Sequence, residues 1–267
     1  MRVFERGVSD ASDGSGLWTH LIRSCAWESC ITNSSGKCPV FSVDALMVKS
    51  CSNNEGRLHL MVLYDHPLSG NCHKIRLLLS MLALPYESRF TDVINHATKT
   101  EEFGTLNPLR QIPILMDGDY VVQDSHAVLV YLAEKYGAEW SGVDAPERAR
   151  VMEWLSFSAN EIGNSLQPAR VYYLLDEMID IERATNSGLR VLKVLDERLA
   201  MRDWLALDRP TIADLACFPY VALSREGRLP LDDFANVCGW IERVMALPGF
   251  IEMPGIAKSA AENYQHP

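Results

Sequence analysis

Residues 107–136 read NPLRQIPILMDGDYVVQDSHAVLVYLAEKY, and the apolar spacing changes once inside that run. Ile114-Leu115-Met116 and Tyr120-Val121-Val122 are short β-rich runs. Asp117-Gly118 between them signals a hairpin, because glycine supplies the positive φ that a tight turn needs. From Ser125 the period is helical. Ala127, Val128, Val130, Tyr131, Leu132 and Tyr136 fit a helix buried along one face. Asp124 or Ser125 can cap its start, and Gly137 can end it.

Two features of this stretch suggest a binding site. Pro113 precedes a strand that should be central, where a proline cannot donate a ladder hydrogen bond. A cis Ile112–Pro113 bond is the natural solution. It would turn the amide and carbonyl of Ile112 outward, where an extended peptide can pair with them. Asp124-Ser125 then sets a carboxylate and a hydroxyl at a helix N-terminus. Free backbone N–H groups there attract an α-carboxylate, and Asp124 can face an α-ammonium. The ligand implied is a small zwitterionic peptide.

Asn107-Pro108 through Gln111-Ile112-Pro113, then Asp124-Ser125-His126-Ala127 and Tyr131-Leu132, resembles the glutathione-binding half of a glutathione S-transferase. The resemblance extends from about Leu60 to Phe250. It implies an α/β thioredoxin-like N-terminal domain, with a mixed four-stranded sheet and helices on both faces. An all-α C-terminal domain should follow. It also implies that Gln111, Ile112, Asp124 and Ser125 bind glutathione.

Working outward, residues 58–137 have the order βαβ, a short helix, then ββα. Leu60 to Tyr64 is strand-like, and Cys72 to Leu84 is a heavily apolar helix stopped by Pro85. Tyr86 to Val93 reads as a second strand, and Thr98 to Leu106 as a weak helix or turn. In a thioredoxin-like fold the turn after the first strand lies beside the Ile112–Pro113 loop. Serine-type members of the resembled family use a serine in this turn to donate to the glutathione sulfur. Ser69-Gly70-Asn71-Cys72-His73-Lys74-Ile75 also resembles the bacterial nu-like class, in which the asparagine amide helps bind the thiolate. Ser69 and Asn71 are therefore the expected catalytic residues. The chemistry needs such donors, because a thiolate is the nucleophile and hydrogen bonds to the charged form lower the thiol pKa. Cys72 begins an apolar helix and reads as structural. His66 and His73 read as loop or surface residues rather than bases, and His126 as a residue at the rim.

Residues 145–255 read as helical. Pro146 suits a first helical turn, and a helical pattern runs from Glu147 to about Arg170, then on through Tyr172 to Ile179. A break falls near Thr185-Asn186-Ser187-Gly188 before Leu189 to Met201. Thr211-Ile212-Ala213-Asp214 has the form of a capping box with Asp in place of Glu or Gln, which makes Asp214 structural. A last helix runs from about Leu231 to Leu247, closed by Pro248-Gly249. The resemblance puts an acceptor pocket between the domains, with Leu68, Trp154, Phe157, Tyr172 and Tyr173 as lining candidates.

Residues 1–57 fall outside the resemblance. They are rich in Ser, Gly, Asn and Asp and read as a disordered extension or as sequence upstream of the true start, with 256–267 as a tail. Cys25, Cys30, Cys38 and Cys51 have spacings that match no common zinc site, so no metal is expected. The formal charge of −10 argues against nucleic acid or an acidic membrane surface as partner. No stretch of ~18 apolar residues marks a membrane span. Seven cysteines without a CxxC pair suit a reducing cytoplasm. The expected protein is a cytoplasmic glutathione S-transferase, a homodimer by resemblance. It would use glutathione as co-substrate against a small electrophile, peroxide or disulfide. A glutathione-dependent disulfide-bond reductase and a non-catalytic interaction module are the alternatives.

Overall fold

The computed structural model describes residues 60–175 and 177–256. The expected extension at 1–57, its four cysteines and residues 257–267 of the expected tail lie outside the described residues. The first half contains β1 (Met61–Asp65), α1 (Gly70–Met81), β2 (Tyr86–Phe90), α2 (Glu101–Leu106), β3 (Ile114–Asp117), β4 (Tyr120–Gln123) and α3 (Ser125–Tyr136). The strands form one sheet in the order β2-β1-β3-β4. β1 pairs parallel with β2 and antiparallel with β3, and β3 pairs antiparallel with β4. This is the thioredoxin-like mixed sheet that the sequence implied. The second half is helical: α4 (Ala145–Phe157), α5 (Leu166–Leu175), α6 (Ile181–Leu199), α7 (Ile212–Ala222) and α8 (Ala235–Met245).

Strand alternation decides the layers. Met61, Leu63 and Asp65 of β1 are buried on one face. Tyr64, on the other, meets Phe103 of α2 edge-on at 6.0 Å between ring centroids. α1 packs against both α3 and α7. It is therefore buried nearly all round, and an apolar stripe on one face would not suffice. Ile75, Leu77, Leu78 and Leu79 are fully buried, and so are the polar His73 and Lys74 just before them. The hairpin turn is as expected, with φ 63° at Gly118. Its Asp117 carboxylate accepts from Tyr131 and Tyr136 hydroxyls at 2.8 and 2.7 Å, tying the hairpin to α3.

Several boundaries differ from the sequence reading. α1 starts at Gly70, two residues before Cys72, because Ser69 caps it. β2 stops at Phe90 rather than Val93. The Thr91 amide still donates to Asp65 O, but Asp92 then turns the chain by accepting from the Asn95 amide at 3.0 Å. The helix expected from Glu147 to Arg170 is interrupted by a π-helical turn at Ser158–Ile162. The break expected near Thr185–Gly188 is absent, and α6 runs through it. Gly188 is there for packing: a Cβ would stand 2.6 Å from Leu229 Cδ2 and 3.0 Å from Leu166 Cδ2.

One local device behaves as read, while the last helix runs from Ala235 to Met245 and is capped at Ala246 rather than closed by Pro248-Gly249. The α7 capping box is complete. Buried Asp214 accepts from the amides of Thr211 and Leu205 and from the Trp240 indole, each at 3.0 Å. After α8, Gly249 has φ +79° and lies against the end of α1, where a Cβ would come 2.9 Å from Met81 Cα. Gly249→Ala should lower stability by about 1–3 kcal/mol, since both the backbone region and the contact oppose a side chain. Urea unfolding checks this: the midpoint should fall with the slope unchanged.

Candidate functional site

The β1–α1 turn is built by its own side chains. Ser69 Oγ accepts from the Cys72 amide at 3.2 Å, and the Ser69 amide donates to His66 O at 2.9 Å. His66 is buried and its Nδ1 accepts from the Leu68 amide at 3.2 Å, so it holds the turn. Arg170 of α5 reaches across from the helical half. Its Nη1 donates to Leu68 O at 2.7 Å and its Nε to Glu226 at 2.5 Å, while Nη2 is buried without a partner among the described residues.

The loop before β3 carries the second part. Asn107 is buried, donates from Nδ2 to Gln111 O at 2.8 Å, and accepts at Oδ1 from the Leu109 amide at 2.9 Å. Ile112–Pro113 is cis, as expected. The ladder with β4 begins at Ile114–Gln123, so neither backbone group of Ile112 is taken up by it.

The third part is the N-terminus of α3. Asp124 has φ 70°, an uncommon region for a residue with a side chain. Its Oδ1 accepts from the amides of His126 and Ala127 at 2.9 and 3.1 Å. The His126 ring beside it, helped by these amides, holds the Asp124 carboxyl down at about 2. Ser125 is buried, and its Oγ lies 3.5 Å from Asn71 Oδ1. That contact joins the β1–α1 turn to the α3 terminus across 54 residues of chain. Asn71, Asp124 and Ser125 thus meet at one place. Ser69 lies two residues back on the same turn. Gln111 and Ile112 lie on the loop that leads into β3.

Cys72 has the buried environment that its structural reading expects, and two other expectations change. Cys72 is fully buried, with Sγ 3.9 Å from Tyr64 O. Burial pushes its thiol up to about 12, so it stays protonated. His66 and His73 are buried rather than at the surface. His73 lies between Phe218 and Phe250, each 6.4 Å away between ring centroids, and burial lowers its pKa to about 3. The acceptor set is divided. Leu68 is tied to α5, which also carries Tyr172 and Tyr173, and Arg228 covers the Tyr173 ring at 4.1 Å. Trp154 and Phe157 instead line a separate cleft of about 210 Å³ with Arg150, Glu153 and Arg198.

Sequence reasoning missed Arg170 and Lys74. Arg170 precedes the apolar run Val171 to Leu175 and has no acidic residue within eight positions upstream, which is a weak sign of a cation with a distant task. Lys74 lies among apolar positions of α1 and is only 2% exposed. No group of three or more His, Cys, Asp or Glu residues could hold a metal ion among the described residues.

The model of the glutathione S-transferase N-terminal domain matches residues 63–140, and that of the C-terminal domain matches 176–248. The glutathione S-transferase verG of Clonostachys rogersoniana is 32% identical over 202 residues, covering 70% of this chain and 81% of that protein. The disulfide-bond oxidoreductase YfcG of Escherichia coli is 30% identical over 194 residues, covering 67% and 87%. Among solved structures, a glutathione S-transferase from Pseudomonas fluorescens superposes with a TM-score of 0.69 at 28% identity, covering 73% of this chain and 98% of that one. A Pseudomonas putida glutathione transferase, solved with one glutathione disulfide per subunit, gives 0.65 at 28% identity, covering 72% and 89%.

Proposed function

This chain belongs to the glutathione S-transferase superfamily and is a glutathione transferase, and we propose that it ionises the glutathione thiol with donors from the Ser69–Asn71 turn. The Asn71–Ser125 contact carries this reading, because it sets a potential thiolate donor beside the anion-binding end of α3. In the proposed complex the γ-glutamyl carboxylate takes the Ser125 hydroxyl and the Ser125 amide, the one first-turn N–H of α3 that Asp124 does not occupy. Asp124, held as carboxylate, faces the α-ammonium. The peptide backbone runs past Gln111 and pairs with Ile112. The sulfur then reaches the turn, where Ser69 and Asn71 donate and the spare Nη2 of Arg170 adds positive charge. Lowering the thiol pKa is worth about 1.36 kcal/mol per unit.

The thiolate attacks a small electrophile that enters from the side of Leu68, Tyr172 and Tyr173. Disulfide reduction is the second reading, favoured by the match to the Escherichia coli oxidoreductase and by the Ser69–Asn71 pattern. A panel comparing an aromatic halide, an organic peroxide and a mixed disulfide at saturating glutathione tests both. Activity on none of them would overturn the proposal.

Ser125→Ala should raise the Kd for glutathione about tenfold or more, through loss of a hydrogen bond to a charged group. Asp124→Asn should weaken binding in the same direction. Calorimetry that finds wild-type affinity in both variants would misplace the clamp.

The proposed domain limits are 58–137 and 145–255, supported by α3 ending at Tyr136 and α4 starting at Ala145. A homodimer is favoured by an open cleft of about 840 Å³ between α3 and α4, lined by Val130, Tyr131, Met152 and Leu155 among others. Exposed Met152 and Tyr120 at its edge suit a second copy of the chain. No helix among the described residues is long and apolar enough to cross a membrane. Cytoplasmic residence and a detoxifying role complete the proposal.

A further inference from the structure

Lys74 is buried one helical turn behind Asn71, on a helix pressed between α3 and α7. No carboxylate lies within ion-pair distance of it among the described residues. Its Nζ lies 3.4 Å from His126 Nε2 and 5.6 Å from the centre of the Tyr220 ring. His126 is the residue after Ser125, so Lys74 stands directly behind the glutathione clamp.

The hydrogen bonds around His126 are in conflict. Ser158 has one hydroxyl proton, which it donates to Ala216 O at 2.7 Å. Its Oγ can then only accept from His126 Nε2, 3.1 Å away. Nε2 must therefore carry a proton, and it faces the Lys74 ammonium as donor against donor. On the far side His126 Nδ1 lies 3.6 Å from Asp124 Oδ1, so a doubly protonated ring is also attractive there. Lysine and histidine compete for the same charge. Burial lowers both: Lys74 falls to about 8, and His126 falls also, with Lys74 as one of its opponents. The other groups acting on Lys74 do not settle the conflict. Cys217 and Tyr220 of α7 are kept neutral by burial, Ser158 is spent on Ala216, and Asp124 acts only from beyond His126.

We infer that Lys74 and His126 share a single positive charge, and that the glutathione anion, once clamped at the α3 terminus, fixes that charge behind it. Lys74 is then a positioning residue acting through His126. It touches neither the thiol nor the electrophile. Its charge holds the γ-glutamyl carboxylate end, so it should govern affinity and the pH dependence of affinity rather than the thiol. The inference rests on the glutathione reading above and deepens it.

S-methylglutathione is the probe, since it keeps the carboxylates and the ammonium but has no ionisable thiol. Calorimetry in buffers of differing ionisation enthalpy, from pH 7 to 9.5, yields both affinity and proton uptake. The ligand's own ammonium contributes equally for all variants, so differences from wild type isolate the pair. Wild type should take up a fraction of a proton near pH 8 and lose affinity above it. Lys74→Met, which fills the same volume without charge, should bind about tenfold more weakly at pH 7 and lack that uptake. Lys74→Arg keeps the charge at all these pH values and should restore affinity while reducing the fall above pH 8 to the part that the ligand's own ammonium causes. His126→Asn should move affinity in the same sense as Lys74→Met. Unfolding curves confirm that each variant is folded before it is scored. Equal affinity and equal proton uptake in wild type and a folded Lys74→Met would overturn the inference. Failure of the wild type to bind S-methylglutathione at all would instead overturn the glutathione reading beneath it.

Discussion

Asp214→Ala is expected to cost about 3–5 kcal/mol of stability, which few single substitutions do. The reason is a count of stranded donors. Asp214 is fully buried, and its two oxygens accept from the Leu205 amide, the Trp240 indole, the Thr211 amide and the Thr211 hydroxyl, all between 3.0 and 3.2 Å. Alanine leaves these donors in a dry interior, and each unsatisfied group costs about 1–3 kcal/mol. The capping box goes with them, worth ~1 kcal/mol. Burial raises the pKa of the Asp214 carboxyl and the donors work against that rise, so the group is costly to place and costlier to remove. Against a total of about 5–15 kcal/mol for a domain, the loss is severe. The melting temperature should drop by about 10 °C or more. Asp214→Asn keeps the shape and one acceptor oxygen, and should fall between the two. A melt of Asp214→Ala within ~2 °C of wild type would show that the network contributes little to stability.

Asp214 was legible in the sequence because capping is local: four consecutive residues carry the whole signal. The same holds for the hairpin at Gly118 and for the change of period at Ser125. The cis Ile112–Pro113 bond was also legible, since a proline at the mouth of a central strand has few options. Gly188 shows the limit of such reasoning. Next to Thr185, Asn186 and Ser187 it looks like a helix breaker. Its reason is the close approach of Leu166 and Leu229, which no local pattern contains.

The site divides along the same line. Ser69, Asn71, Asp124 and Ser125 could be picked out as turn and cap residues, yet their meeting depends on α1 and α3 packing side by side. Lys74 and Arg170 were missed because their burial arises from several helices converging. A lysine in an apolar helix usually snorkels to water; here α1 is enclosed and offers no exit. Trp154 and Phe157 are acceptor-pocket candidates by resemblance alone. Spacing fixes that they share a face of α4. It does not fix which neighbour covers that face, and Arg198 of α6 does.

Asn71→Ala should lower turnover near pH 7 by about 10²-fold, the usual cost of removing one donor aimed at a developing or stabilised anion. Ser69→Ala should act in the same direction and also weaken the start of α1, since Ser69 Oγ caps the Cys72 amide. Both variants should raise the pKa of bound glutathione, because each removes a hydrogen bond that favours the charged sulfur. The sign is then fixed. A raised thiol pKa moves the acidic limb of the pH–rate profile upward, so the variants should recover part of their activity as pH rises, and wild type should gain less. Cys72→Ala should leave turnover nearly intact. Its thiol, at about 12, is ionised in roughly one molecule in 10⁵ at pH 7, and its sulfur is closed off from any ligand. A cysteine mechanism reverses every one of these outcomes, since the reactive sulfur would sit on the protein and not on the ligand. Cys72→Ala would then abolish disulfide reduction, and wild type under oxidised glutathione would gain the mass of one glutathione. Thiolate absorbance of the complex against pH, together with intact-mass analysis, separates the two. An adduct on Cys72, with the ligand pKa unmoved in both donor variants, would mean that the turn serves the protein's sulfur and that the Ser69–Asn71 donors are only scaffolding.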